Sequence, residues 1–208
     1  MENKNLQELI TAVEKADSAN GLFLAVKNLA QAGQPSAIPT LIKVLAFNNP
    51  GASVAAVDGL IALGVQSVPY LLTQMDGYNY GARAWATRAL AGIGDTRGLP
   101  LLVDAALNDF SLSVRRSAAR GLGNLKFSDL PPAERTEAIQ QVFTALVKVL
   151  KDPEWVVRYA AVVGLEKLAM AEATLRDKIS QELIMLPQHE SELVVRVRTE
   201  RARQLVSG

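Results

Sequence analysis

The sequence of 208 residues contains no cysteine and a single histidine. The absence of cysteine excludes disulfides, thiolate metal sites and a cysteine nucleophile on this chain, and one histidine cannot form a histidine-rich metal cluster. Aromatic residues make up only 5% of the chain, although apolar residues make up 49%. This composition is typical of helices that pack through alanine, leucine and valine.

Neither the charge nor the hydropathy points to a nucleic acid or a membrane. The 22 basic and 21 acidic residues leave a net charge of +1, so no general attraction to polyanions is expected. No uninterrupted apolar run reaches 18 residues, and the N-terminus leads into an amphipathic helix rather than a signal peptide. We therefore expect a cytoplasmic protein with no membrane insertion, no nucleic-acid partner and no metal site.

An alanine followed four residues later by a leucine recurs along the chain. The five pairs are Ala25-Leu29, Ala56-Leu60, Ala86-Leu90, Ala118-Leu122 and Ala161-Leu165. Their alanines are 31, 30, 32 and 43 residues apart, and repeats of this length in a helical sequence indicate a solenoid. Gly33, Gly64 and Gly94 follow the first three pairs, where the end of a helix favours a residue with positive φ.

Each repeat has the pattern of two antiparallel helices. The first helix carries apolar residues at i, i+3, i+4 and i+7 and a proline in its first turn, where proline is tolerated. We predict six pairs, over residues 3–32, 36–64, 66–94, 97–125, 134–170 and 174–206, with an irregular insert at about 126–135. In the last pair, Arg201 and Leu205 are expected at the alanine and leucine positions. The predicted fold is an all-α, crescent-shaped solenoid forming one domain over residues 1–208.

The turns within the later pairs resemble those of HEAT repeats. An acidic residue precedes a Val-Arg pair, with the arginine six residues along, at Asp109, Asp152 and Glu190. In HEAT proteins such acidic and arginine residues bridge adjacent repeats. Counting three residues back from each alanine position places four arginines in one row, for which we expect a structural role: Arg83, Arg115, Arg158 and Arg198.

One turn departs from this pattern. Residues 76–88 read Asp-Gly-Tyr-Asn-Tyr-Gly-Ala-Arg-Ala-Trp-Ala-Thr-Arg and hold two of the four tyrosines and one of the two tryptophans. Aromatic faces and arginine forks together suit a flat, conjugated ligand with acidic substituents. A structural alternative stays open, in which Trp85 lies in the core and the tyrosines pack the turn. For the second tryptophan, Trp155, we expect a core position rather than an exposed interface anchor.

The stretches 76–95 and 112–123 resemble the phycobilin lyases of the CpcE/CpcF type, most closely the CpcF-type, or beta, subunits. The resemblance covers most of the chain in length, repeat number and register. It implies a heterodimer with a homologous CpcE-type subunit, which binds the linear tetrapyrrole phycocyanobilin and directs its thioether attachment to a cysteine of the phycocyanin alpha subunit. Phycocyanobilin is then a substrate, and no cofactor is implied. The isomerising subunit of a sister pair carries a His-Cys motif that this chain lacks, so isomerisation is not expected.

The resemblance also suggests roles for single residues. Asp76 is the candidate catalytic residue, because its carboxylate would accept hydrogen bonds from pyrrole N–H groups and stabilise the protonated pigment. Arginines would pair with propionates and aromatic residues with the rings; the candidate ligand-binding residues are Tyr78, Asn79, Tyr80, Arg83, Trp85, Arg88, Arg115, Arg116 and Arg120. Two other functions stay open: a non-enzymatic bilin- or phycobiliprotein-binding HEAT protein of phycobilisome disassembly or repair, and a generic HEAT adaptor.

Overall fold

The computed structural model describes residues 2–73 and 80–207, with side chains described for residues 5–73 and 81–206. Over these ranges the chain forms twelve α-helices and no strand. In chain order they are α1 (Glu2–Glu14), α2 (Ala19–Gln31), α3 (Ile38–Val44), α4 (Pro50–Leu63), α5 (Val68–Thr73), α6 (Tyr80–Ile93), α7 (Leu99–Asn108), α8 (Leu112–Leu122), α9 (Pro132–Val149), α10 (Trp155–Ala171), α11 (Arg176–Met185) and α12 (Leu193–Ser207).

The helices confirm the predicted all-α solenoid of six pairs, because each odd-numbered helix is followed by its even-numbered partner. The predicted limits of the pairs lie within three residues of the observed ones. The chain groups into two compact units, Met1–Ile93 and Gly94–Gly208, which are described separately below. The predictions of one domain and of a crescent stay predictions.

Short sequence signals explain where the helices begin and end. Gly33, Gly64 and Gly94 follow α2, α4 and α6 and have φ angles of 61°, 64° and 72°, a region that glycine enters without steric cost. At the start of α4, the side chain of Asn49 accepts a hydrogen bond from the backbone N–H of Ala52 at 3.0 Å. This contact satisfies a donor that has no partner inside the helix.

The recurring leucines form the core of both units. All five are at most 1% exposed: Leu29, Leu60, Leu90, Leu122 and Leu165. The alanines four residues before them are buried in four of the five repeats, and Ala25 is half-buried. Small residues on the second helix let neighbouring repeats approach closely, and the leucines fill the space between the layers.

The stretch Pro50–Thr73 is apolar enough, by length and composition, to cross a membrane. In the structure it is divided by a 3-10 turn at Gly64–Ser67 into α4 and α5. Helix α4 packs against α2 and α6 and buries Val57 and Leu60 completely. The high hydropathy of this stretch is therefore that of a helix in the middle of a helical unit.

The insert between the fourth and fifth pairs is attached to the second unit. The backbone N–H of Lys126 donates to the carbonyl of Gly94 at 2.8 Å. Phe127 opens a 3-10 turn that ends at Asp129, and its side chain is only 3% exposed. Helix α9 then starts at Pro132, as the Pro-Pro pair in the sequence predicts.

The structure corrects the predicted register of α12 by two residues. Thr199, rather than Arg201, occupies the buried alanine position, while Arg201 is exposed and Leu205 is 49% exposed. The physical reason is that Val195 is fully buried, like the valines of the two preceding Val-Arg pairs. This valine anchors the start of the helix, so the Val-Arg pair sets the register.

With this register, α12 carries charged residues at two positions that are buried in α10. Glu200 and Arg203 form an exposed ion pair at 2.8 Å. They take the positions at which α10 has the fully buried Val162 and Leu165. A polar outer face of this kind is typical of terminal repeats in solenoid proteins.

Candidate functional site

Arg115 and Arg158 bridge successive repeats in the second unit. Arg115 donates to both carboxylate oxygens of Asp152, at 2.7 and 3.2 Å, and Arg158 donates to both oxygens of Glu190, at 2.7 Å each. Each guanidinium also donates to two backbone carbonyls of its own turn. The bridge expected from the HEAT resemblance is thereby confirmed at these two positions.

The hydrogen bonds between Arg158 and Glu190 also change the pKa values of both groups. The hydrogen bond from Arg158 lowers the pKa of the Glu190 carboxyl, although burial acts in the opposite direction. The same hydrogen bond raises the pKa of the Arg158 guanidinium. Both groups are therefore charged at neutral pH, and each compensates the cost of burying the other.

Arg198 does not belong to this row, contrary to the sequence prediction. It donates to Glu166 of the preceding repeat at 2.7 Å, and its guanidinium lies 5.9 Å from the centre of the Tyr159 ring. The equivalent of Arg115 and Arg158 is Arg196, which donates to the carbonyl of Glu190 at 3.4 Å. The prediction for Arg198 was wrong for the same reason as the register of α12: the buried Val195 fixes the position of each residue in this helix.

In the first unit, α6 carries four of the candidate ligand-binding residues, and the side chains of three of them, Arg83, Trp85 and Arg88, are described. Trp85 is half-buried and Arg88 is exposed, and the Arg88 guanidinium lies 5.7 Å from the centre of the Trp85 ring. This distance is typical of a cation–π contact. The spacing of three residues places both side chains on one side of the helix. Arg83, half-buried, lies five residues before Arg88.

Four other predicted site residues cannot be placed. Asp76, Tyr78 and Asn79 lie outside the described residues, and so does the side chain of Tyr80, whose backbone begins α6. The candidate catalytic carboxylate of Asp76 therefore stays a prediction from the sequence.

The structure adds a groove between α2 and α4 that the sequence analysis missed. Its volume is about 480 Å³, within the range of small-molecule sites. Gly59 lets the two helices approach, since a Cβ atom there would lie 2.6 Å from that of Ala30. The groove is lined by Phe23, Lys27, Ala30, Gln31, Val54, Ala55, Asp58, Gly59 and Ala62.

A periodic signal in the sequence could have revealed this groove. Lys27 and Asp58 both lie two residues after the recurring alanine, and Arg88 has the same position on α6. Because the repeats have one register, residues at this position share one face of the second helices. The cation–π pair of α6 and the groove thus belong to the same face of the first unit.

The equivalent face of α8 in the second unit carries Arg116 and Arg120. Both are exposed and stand one helical turn apart. Over the described ranges, neither forms an ion pair. Arg115 differs from them, because it is engaged with Asp152 in the bridge between repeats.

Trp155 is 41% exposed, so the expectation that it folds into the core is wrong. It is the first residue of α10. Leu112 and Leu193, the first residues of α8 and α12, are 43% and 64% exposed. The first position of these helices lies outside the packed layer, which explains why three apolar side chains stay in contact with solvent there.

The chemistry of these surfaces is that of binding and orientation. Aromatic rings, guanidinium groups and an apolar groove can hold a conjugated ligand with acidic substituents. In the part of the chain that the structure describes, no group of three or more His, Cys, Asp or Glu side chains could hold a metal ion.

The family model for HEAT repeats matches residues 6–91 and 68–137. The match covers more than half of the chain, in agreement with the helix pairs and the bridging arginines. The fold therefore defines a HEAT-repeat protein.

Curated relatives and a solved structure narrow the class. The chain is 53% identical to "Phycocyanin alpha phycocyanobilin lyase CpcF" of Synechocystis sp. (91% of this chain, 89% of the relative). It is also 53% identical to the "Phycobilisome maturation protein" of Synechococcus elongatus (97% and 98%). The structure of the complex of CpcE and CpcF from Nostoc sp. matches with a TM-score of 0.78 at 44% identity, over 82% of this chain and 99% of the matched chain. The chain belongs to the family of CpcF-type phycocyanobilin lyase beta subunits.

Proposed function

We propose that this chain is the beta subunit of a heterodimeric phycocyanobilin lyase. With a CpcE-type partner it binds the linear tetrapyrrole and directs its thioether attachment to a cysteine of the phycocyanin alpha subunit. The observation that carries the proposal is the 53% identity to the CpcF lyase subunit over 91% of this chain. The reaction takes place in the cytoplasm, where pigment and acceptor chain meet.

The residues of this chain would act by positioning the pigment. The sequence contains no cysteine, so the sulfur that forms the new bond comes from the acceptor chain. Trp85 and the tyrosines of the preceding turn would pack against the pyrrole rings, and Arg83 and Arg88 would hold propionates. Holding two reactants in one geometry can lower a barrier by several kcal/mol.

Asp76 is the proposed catalytic group. A carboxylate that accepts hydrogen bonds from the pyrrole N–H groups favours the protonated pigment, which is the more electrophilic form. Attack by the acceptor thiolate on the ethylidene carbon of ring A then forms the C–S bond, while the ethylidene π bond opens and its electron pair passes into the protonated, conjugated pigment, which becomes neutral. Asn79 and the tyrosines of this turn belong to the same proposed site. In the second unit, Arg116 and Arg120 are separate candidate ligand-binding residues, whereas Arg115 takes part through its bridge to Asp152.

A transfer assay tests the proposal directly. The chain is co-expressed with a CpcE-type partner and mixed with phycocyanobilin and the apo alpha subunit of phycocyanin. We expect a covalent adduct, measured by absorption and fluorescence after denaturation in acidic urea, that forms correctly only when both lyase chains are present. A bilin spectrum that changes without an adduct would instead favour a non-enzymatic pigment-binding protein. Absence of both pigment binding and association with phycocyanin would leave a HEAT adaptor.

Replacing Trp85 by leucine is expected to lower the kcat/KM of transfer at least about fivefold. The variant removes the ring that lies under Arg88, and loss of an aromatic stacking surface of this kind costs about 1–3 kcal/mol. The matched control is Trp155→Leu, which changes the other half-exposed tryptophan and is expected to keep most of the activity. Equal losses in the two variants, with equal thermal stability, would contradict a specific role for Trp85.

A further inference from the structure

Two cations on neighbouring helices of the second unit are brought together by a close contact between backbones. Gly123 at the end of α8 and Gly164 in α10 face each other, and a Cβ atom on Gly123 would lie 2.6 Å from the Cα atom of Gly164. Because no side chains separate the helices at this point, groups near it on α8 and α10 are close in space. Arg120 lies just before Gly123, and Lys167 lies just after Gly164.

The ammonium group of Lys167 is held in a defined place. Its Nζ atom donates to the side-chain carbonyl of Asn124 at 3.1 Å, and the lysine is half-buried. Burial lowers the pKa of Lys167, and the charge of Arg120 lowers it further, whereas Glu166 acts in the opposite direction. The side chain is therefore fixed across the contact between α8 and α10, beside a second positive charge.

Over the described ranges, no carboxylate forms an ion pair with Arg120 or Lys167. Glu166 accepts a hydrogen bond from Arg198 at 2.7 Å, so its carboxylate is already paired with another cation. Arg116 adds a third cation one turn before Arg120, and over the described ranges none of the three forms an ion pair. Placing like charges together costs free energy. In a chain of net charge +1, such a cluster indicates a place for an anion.

The surroundings of the cluster define which anion fits. Val163 lies about one turn before Lys167 on α10 and Tyr159 about one turn before Val163; both are half-buried, and the Arg198 guanidinium lies 5.9 Å from the centre of the Tyr159 ring. The site therefore combines a cationic end with an aromatic and aliphatic surface. A carboxylate attached to an apolar body matches this combination better than an inorganic anion, which would leave the apolar surface in water.

We propose that Arg120 and Lys167, with Lys167 positioned by Asn124, form a carboxylate-binding site across α8 and α10. The inference rests on the proposed lyase function for the source of the carboxylate, which is either a propionate of the tetrapyrrole or an acidic side chain of the acceptor chain. In both cases the site holds one end of a reactant while the other end stays free to react.

The test compares phycocyanobilin with its dimethyl ester, which lacks the carboxylates, on the complex of both lyase subunits. The wild-type complex is expected to bind the free acid about tenfold more tightly than the ester, as loss of a charged hydrogen bond implies. In the double variant Arg120→Met, Lys167→Met this preference is expected to shrink to the part that Arg83 and Arg88 supply, while the affinity for the ester stays the same. The charge-conserving variant Arg120→Lys, Lys167→Arg is expected to restore it.

Arg201→Met is the matched control. On α12, Arg201 takes the position that Arg120 has on α8, whereas Leu205 takes the position that Lys167 has on α10. The Arg201→Met variant should leave the preference for the free acid over the dimethyl ester unchanged. If the acid–ester preference persists in the double variant but binding of the bilin-free apo alpha subunit falls tenfold, the carboxylate comes from the acceptor.

Three other outcomes are informative in different ways. If the double variant binds bilin and apo alpha subunit as the wild type does, with unchanged transfer, the carboxylate site is overturned while the lyase function stands. If the control Arg201→Met loses as much of the acid–ester preference as the double variant, the preference reflects the overall charge of the protein, and the proposed site is wrong. If the wild-type complex binds neither bilin nor acceptor, both proposals fail.

Discussion

Replacing Arg158 by methionine is expected to lower the free energy of unfolding by about 3 kcal/mol at pH 7, the magnitude found when one partner of a buried ion pair is removed. The reason is that Glu190, with a side chain only 2% exposed, would keep its charge without its main partner. The carbonyls of Asp152 and Pro153 would also lose the donor that Arg158 supplies at 2.8 and 2.9 Å. Urea denaturation followed by circular dichroism measures the loss.

The effect of this variant should depend on pH in a defined direction. Arg158 lowers the pKa of Glu190 below its ordinary value of 4.5, so folding favours the ionised carboxylate. The resulting stability is fully present above pH 4.5 and is lost as the pH falls through the lowered pKa of the folded state. The difference between wild type and variant should therefore shrink when the measurement is repeated at pH 4 and below.

Arg203→Met provides the control for the ion pair. Arg203 pairs with Glu200 on the surface, and exposed pairs of this kind contribute at most about 1 kcal/mol. We expect a change smaller than that, with little dependence on pH between 7 and 4. A loss for Arg158→Met no larger than that of this control would show that the bridge between repeats contributes little to stability.

Replacing Gly123 by alanine is expected to cost about 3 kcal/mol or more of unfolding free energy. The added methyl group would overlap the carbonyl oxygen of Gly164 and come within 2.6 Å of its Cα atom. These atoms belong to the backbone of α10 and cannot move away alone, so the helices must separate, which costs more than ordinary overpacking of side chains. Gly123 has a φ angle of −74°, which alanine adopts freely, so backbone strain does not contribute.

The same substitution at Gly51 should have the opposite sign. A Cβ atom there meets its nearest neighbours, Asn49 and Phe23, at 3.5 Å, an ordinary contact distance. Alanine in a helix is favoured over glycine by about 0.5–1 kcal/mol, so Gly51→Ala should leave the stability unchanged or raise it slightly. Thermal and urea denaturation of both variants measure the contrast. Similar stabilities for the two would mean that α8 and α10 tolerate a wider separation.

Local periodicity predicted much of the fold. The alanine–leucine repeat, the first-turn prolines and the glycines at helix ends located the six pairs within three residues, because these signals act within one or two turns of a helix. The register of α12 was predicted wrongly for the same reason. Counting from the preceding repeats gave Arg201, but the start of the helix is set by the burial of Val195, which is a contact with another helix.

The sequence likewise predicted only part of the candidate site. The sequence alone singled out Trp85 and Arg88, since aromatic residues are scarce and these lie in an unusual turn, and their contact at 5.7 Å is present in the structure. It placed Arg115 both in the structural row and among the candidate ligand-binding residues, next to Arg116, and did not decide between the two roles. Only the packing of α8 against α10 shows that Arg115 bridges to Asp152 while Arg116 stays exposed.

By itself, the sequence determined that this protein is a helical repeat array without cysteine, and that any thiol in its chemistry comes from another chain. Composition and short-range periodicity are sufficient for both statements. Only the tertiary structure decided which side chains share a surface: the groove between α2 and α4, the exposed Trp155, and Arg120 beside Lys167. The groove and the Arg120–Lys167 pair depend on how closely two backbones approach, and close approach at Gly59, Gly123 and Gly164 arises from contacts between residues far apart in the chain.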